Sequence, residues 1–262
     1  MLTPPTTDKI LNFIVVGEVR CGAAVVQSSI SAHPQAVCHA DLLDRDPKVR
    51  KQNHEAYFGP PSSSDTVEYC ARPLSPELYL DGRIFDNPLR DEQAVGIKVL
   101  YRDVEANQLW EYFRNWDRVG DFCTIHITRN PVACYVSLMQ ARASGVFHVS
   151  VNSQDSRHSP PPLQLDLNEL VQFCRWHATC ECKVRAACED RLEMTYKELF
   201  LNYHEVMAGV FDFLTLPPFS EVKPAVKRLR NRSVVDRISN FKYLRANVPG
   251  DVREYFESDD LF

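Results

Sequence analysis

No apolar run in the 262-residue chain approaches the roughly 20 residues that a bilayer-spanning helix needs. No integral membrane segment is expected. Positive charge is not in excess either, since 30 Lys and Arg stand against 35 Asp and Glu, for a formal net charge of −5. A chain built to coat nucleic acid or an anionic membrane carries the opposite balance, and neither partner is expected. The first residues, MLTPPTTDKILNFIVVG, hold two prolines, one lysine and a short apolar run ending at Gly17. They lack the charged n-region, longer apolar stretch and cleavage site of a secretory leader. Zinc-knuckle spacing is missing too. Of nine cysteines, the tightest group (Cys174, Cys180, Cys182, Cys188) is spaced C-x5-C, C-x-C, C-x5-C. A structural site wants two to four residues between paired ligands, and on a helix Cys174, Cys180 and Cys182 do not share one face. No metal site is expected, and the sulfurs read as buried free thiols of a cytoplasmic protein. Repeats at solenoid periods are absent.

What is present is ordinary globular composition, 44% hydrophobic and 25% charged, in a chain long enough for one large domain spanning 1–262. Short apolar runs at 10–16, 96–101 and 121–130 read as buried parallel strands, with QAVCH and RLEMTY as two further strands. Helical spacing follows them in VVQSSISA, VEANQLWEYFRNW, PVACYVSLMQARAS, the long segment from Leu165 to Asp190, and LNYHEVMAGVFDFLTL. Such alternation predicts an α/β fold with a P-loop-like, mainly parallel sheet, helices on both faces, and ligand sites at the carboxyl ends of the strands. Two polar, proline-rich stretches, 59–91 and 144–165, read as long surface loops.

The turn after the first strand is Gly17-Glu18-Val19-Arg20-Cys21-Gly22-Ala23-Ala24. Two glycines at this spacing between a strand and a helix start make a cradle of backbone N–H groups that welcomes an anion. A nucleoside-triphosphatase loop would continue with Lys and Ser or Thr, to hold the β/γ-phosphates and Mg²⁺. Here those places are Ala23 and Ala24, which leaves Arg20 as the loop's cation and no magnesium site. The bland alternative is an incidental strand-to-helix turn. A second anion site reads at the end of the 121–130 strand, where Arg129 precedes Asn130-Pro131 and Ser137 follows about two turns into the next helix. An arginine fork and a hydroxyl meeting on one phosphate is sound chemistry, against the alternative of local capping.

Together these segments resemble the sulfotransferase superfamily that uses 3′-phosphoadenosine 5′-phosphosulfate (PAPS), in its bacterial and carbohydrate-directed branch. Arg20-Cys21-Gly22-Ala23-Ala24 is similar to the family's R-S-G-T/S-T loop, and Arg129 through Ser137 to its R-D/N-P-x5-S element. SSISAHPQAVCHADLL resembles L-L-x-S-H-P-x-V-x-C-H-G-E-L-F. MTYKELFLNYHEVMAGVFDFLTLP resembles Y-E-D-L followed by F-L-G-L, and RISNFKYLRANV resembles I-x-N-W/Y. The resemblance spans 11–44, 96–138 and 191–247. It implies sulfuryl transfer from PAPS, leaving PAP, to a hydroxyl or amine of a glycan or small-molecule acceptor. Arg20 would serve the leaving 5′-phosphate, with Cys21, Gly22, Ala23 and Ala24 around it, while Arg129 and Ser137 hold the 3′-phosphate. Asp41 takes the place of the family's acidic base, with His39 as the competing base; a helix N-cap is the alternative role for Asp41. The family's loop hydroxyls are replaced by Cys21, Ala23 and Ala24. Eight basic residues between Lys223 and Arg245 read as a solvated face, or as a source of one arginine, Arg230 or Arg232, that closes over the nucleotide. Trp176 and His177 read as core and helix-surface residues. A small-molecule kinase and a non-catalytic nucleotide-binding relative are the alternatives, and a homodimer is left open.

Overall fold

Leu11–Gly17 (β1) is apolar on both faces of the chain because it lies in the middle of a sheet. Phe13 and Val15 point one way, Ile14 and Val16 the other, and all four are within 1% of full burial. The computed structural model describes residues 10–44, 46–58, 75–85, 92–119, 122–147, 161–224 and 233–258. Its sheet has five strands in the order β2-β3-β1-β4-β5, every pair parallel. The other strands are β2 (Ala36–Ala40), β3 (Ala94–Leu100), β4 (Phe122–Thr128) and β5 (Arg191–Thr195). The α/β architecture expected from the alternating pattern is the one observed.

Helices cover both faces. On one face α1 (Ala23–Ser31) and α9 (Tyr203–Phe213) pack Val26, Ile30, Met207 and Phe211 against Phe13, Val15 and Ile125. On the other, α4 (Tyr101–Ala106), α5 (Trp110–Val119) and the 21-residue α7 (Leu167–Ala187) pack Val104, Phe113, Cys180 and Val184 against Ile14, Val16 and Ile97. A third cluster joins α6 (Pro131–Ser144) and α7 to the C-terminal helices α10 (Phe241–Asn247) and α11 (Gly250–Glu257). Cys174 and Cys180 face into these cores while Cys182, on the same helix, is exposed. Among the described residues no helix is long and apolar enough to cross a membrane.

Two expectations change, and one stretch left unassigned in the sequence takes a regular form. The helical pattern over 104–116 is two helices, α4 and α5, because Asn107–Leu109 forms a turn with Gln108 at φ 55. The polar stretch after β2 contains a 12-residue helix, α2 (Pro47–Phe58). Within 59–91, expected to run over the surface, Tyr79, Leu80, Ile84 and Phe85 instead join the core. Ser75 caps a short helix, α3 (Pro76–Tyr79), by accepting from the Leu78 amide, and a π-turn then drives Leu80, Ile84 and Phe85 under the sheet. The rest of that loop, 59–74 and 86–91, and residues 148–160 of the second, lie outside the described residues.

Phe113 and Phe122 stack with ring centroids 5.8 Å apart and planes at 15°, both at or near zero exposure. Truncating a buried ring leaves a cavity as well as the lost transfer energy. Phe113→Ala is expected to cost about 3–5 kcal/mol in urea unfolding.

Candidate functional site

β1 and β4 pair in parallel with Gly17 beside Ile127, so the loop after β1 and the residues after β4 emerge side by side at the carboxyl edge of the sheet. The approach is close. A Cβ on Gly17 would sit 2.6 Å from the Cys21 sulfur and 2.7 Å from the Ile127 carbonyl oxygen. Arg20 (φ 72) and Gly22 (φ 102) both take left-handed backbone, which is the turn that starts α1 at Ala23. Gly22, Ala23 and Ala24 line the resulting cleft at the start of α1, where the Ala23 amide is turned to the Cys21 sulfur and the Val25 amide donates to the Gly22 carbonyl at 2.9 Å. Cys21 turns the other way. Its amide donates to the Glu18 carbonyl (3.1 Å), its sulfur is fully buried in the core, and burial pushes the thiol up to about 12.

Arg129 and Ser137 come to the same place. Asn130 caps α6 by accepting from the Val132 and Ala133 amides, with Pro131 at the first helical position, so the helix start is satisfied internally. The Arg129 guanidinium lies 3.8 Å from the centroid of the Tyr196 ring, at the start of α8 (Tyr196–Leu201). Its Nη1 donates to the Arg20 carbonyl oxygen at 2.6 Å. Arg20 in turn donates from Nε to Ser137 Oγ (3.1 Å) and from Nη1 to the Phe147 carbonyl. The three residues expected to hold phosphates thus form one contiguous group instead of two separate pockets.

They line a cleft of about 1110 Å³. Among the described residues eight Lys and Arg and five Asp and Glu contribute to its wall, a local reversal of the chain's net charge of −5. Asp41, the residue just past β2, faces this cleft with φ 54, its Oδ1 2.7 Å from Lys98 Nζ. It does not cap α2, which begins at Pro47. His39 is elsewhere: it is 1% exposed beneath the rings of Tyr57 (4.7 Å) and Phe58 (5.0 Å) and does not line the cleft. The geometry separates the two base candidates, with Asp41 in the open space and His39 packed beneath aromatic rings.

Several wall residues went unread in the sequence. Lys98 is one, although a single charge inside the apolar strand AVGIKVL is a signal, because a buried lysine needs a partner. Glu18 is fully buried and ion-paired with Arg102. His177, read as core or helix surface, lines the cleft from α7, and so do Glu181 and Arg185. Burial lowers the His177 imidazole to about 4 and raises the Glu181 carboxyl to about 7. Arg237, from a short 3-10 turn (Val235–Arg237), reaches the cleft and donates to Gln140 Oε1 at 3.3 Å. Arg230 and Arg232 lie outside the described residues. Among the described residues no group of three or more His, Cys, Asp and Glu could hold a metal ion.

The fold and cleft define an α/β protein with a cationic cleft at its strand tips. No family model matches the chain, and no curated protein matches it in sequence. Among solved structures it is similar to a sulfotransferase from Alicyclobacillus acidocaldarius, at 17% identity and a TM-score of 0.47, over 81% of this chain and 85% of that one. It is also similar to a retinol dehydratase solved with retinol and PAP, at 14% identity and a TM-score of 0.42, over 82% of this chain and 62% of that one. Neither likeness is close enough to bear on function.

Glu181 gives the cleft wall a pH signature. A carboxyl raised from 4.5 to about 7 on folding costs nothing while protonated in both states, costs progressively more as pH rises through that window, and costs fully above it. Glu181→Gln is therefore expected to stabilise the protein by about 2 kcal/mol at alkaline pH. The gain should fade as pH drops toward 4.5, as read by urea unfolding across the range. A pH-independent difference would contradict the assignment.

Proposed function

We propose that the chain is a sulfotransferase that moves a sulfuryl group from PAPS to a hydroxyl or amine of a small-molecule or carbohydrate acceptor in the cytoplasm, with PAP as the product. The observation that carries this reading is the meeting of Arg20, Arg129 and Ser137 in one cleft at the carboxyl ends of β1 and β4. The whole chain is taken as one such domain.

The donor set suits a nucleotide with two phosphate groups. Guanidinium forks, a hydroxyl and the first amides of α1 supply charge-assisted hydrogen bonds around one space. Ala23 and Ala24, where a kinase loop would have Lys and Ser or Thr, support this reading over phosphoryl transfer. PAPS supplies a sulfur bonded to a phosphate that leaves with the electron pair of the broken S–O bond. Arg20 balances the charge developing on that 5′-phosphate, and releases Ser137 Oγ to do so. Ser137 and Arg129, the latter backed by Tyr196, hold the 3′-phosphate. Lys98 holds the Asp41 carboxylate, and Asp41 takes the proton from the acceptor oxygen or nitrogen as its bond to sulfur forms.

Calorimetry with PAP tests the binding half. Arg129→Ala should weaken PAP by about 2 kcal/mol or more, since it removes a charged donor from a phosphate. Asp41→Asn should bind PAP like the parent and lose transfer, read as PAP release with an acceptor panel. Undiminished turnover in that variant would remove Asp41 from the base role. PAP binding with no transfer to any acceptor would leave a nucleotide-binding module.

A further inference from the structure

Beside the cleft, between α6 and α7, a second hollow of about 330 Å³ is lined by Arg102, Tyr135, Leu138, Met139, Arg142, Phe173 and Trp176. Its volume falls in the range of small-ligand pockets, and three of its seven lining residues are aromatic. Arg102, Leu138 and Arg142 line both spaces, so the hollow is an extension of the cleft.

Its chemistry is specific. Phe173 and Trp176 sit one turn apart on α7, half-buried, with ring centroids 5.8 Å apart, and Tyr135 closes the group 5.1 Å from Phe173. Leu138 and Met139 add apolar floor from α6. The Tyr135 hydroxyl is spent on Glu169 Oε2 (3.0 Å), and the Arg102 guanidinium is ion-paired with Glu18. Arg142 differs. It is exposed in the last turn of α6, it touches both spaces, and no hydrogen bond or ion pair to it is found among the described residues. An aromatic-walled hollow with an exposed guanidinium on its wall is complementary to a flat ring that carries an anion.

We infer that this hollow is the distal half of the acceptor site, and that the acceptor is an aromatic acid whose ring packs against Phe173 and Trp176 while its carboxylate pairs with Arg142. The inference rests on the sulfotransferase reading for the word acceptor; the ring-and-carboxylate site itself does not. The hydroxyl to be modified then lies in the main cleft, on the Asp41 side, and the acid group sets the direction in which the molecule enters. Neutral sugars lack the anion, and polar anions without a ring leave the aromatic wall unused.

Calorimetric titration with 6-hydroxy-2-naphthoate and with its methyl ester, each with and without saturating PAP, tests the inference directly. The acid should bind about tenfold more tightly than the ester, as expected for a charge-assisted pair at a partly exposed arginine. Arg142→Ala, an exposed position, should erase that preference and leave ester binding as it was. Trp176→Leu should weaken acid and ester alike while PAP affinity stays that of the parent. Equal binding of acid and ester, or a preference that survives Arg142→Ala, overturns the inference. Acid binding through Arg142 in a protein that does not bind PAP would leave the hollow standing and remove the sulfotransferase reading. PAP binding without any acid preference would do the reverse.

Discussion

Arg129 holds the cleft together. Its side chain lies on the Tyr196 ring and donates to the Arg20 carbonyl, so one guanidinium ties the end of β4, the loop after β1 and the start of α8. Arg20 can keep a left-handed backbone because that carbonyl is held from outside, and its side chain then reaches Ser137 on α6. Three stretches distant in sequence, around residues 20, 129–137 and 196, meet through two arginines. Removing Arg129 therefore disturbs the loop as well as one charge, and for this reason its loss cannot be offset by Arg20 alone.

Charge placement follows from the same crowding. Cations crowded on one wall repel each other, and among the described residues three wall acids are paired within it: Glu18 with Arg102, Asp41 with Lys98, and Glu181 with Arg185 at 3.7 Å. Buried pairs of this kind return little net stability, because desolvation offsets the attraction. Their effect is to fix side chains. Glu18 and Lys98 are almost fully buried while Arg102 and Asp41 are partly open, so each pair presents one anchored group to the cleft.

The sheet was legible in the sequence because its strands are apolar on both faces: LNFIVVG and FCTIHIT have no other stable placement than the middle of a layered fold. The meeting of Arg20 and Arg129 was legible for a related reason, since each follows closely on the end of a buried parallel strand. Ser75–Phe85 was misread because its Pro, Asp and Gly suggest surface, whereas the Ser-Pro cap and the pattern of Tyr79, Leu80, Ile84 and Phe85 decide its burial. Asp41 and His39 could not be told apart by strand alternation, because the strand ends at Ala40 and Asp41 turns out of it with positive φ. His177 and Arg237 depend on how α7 and the C-terminal turn dock, and no local pattern encodes that.

The central claim is that one metal-independent group, built from Arg20, Arg129 and Ser137, recognises a 3′-phosphate. Calorimetry comparing PAP with adenosine 5′-phosphate in excess EDTA measures this most directly. The account predicts that PAP binds at least about tenfold more tightly, that Ser137→Ala narrows the difference and that Arg129→Ala removes most of it. Equal affinity for the two nucleotides, or PAP binding that appears only with Mg²⁺, would contradict it.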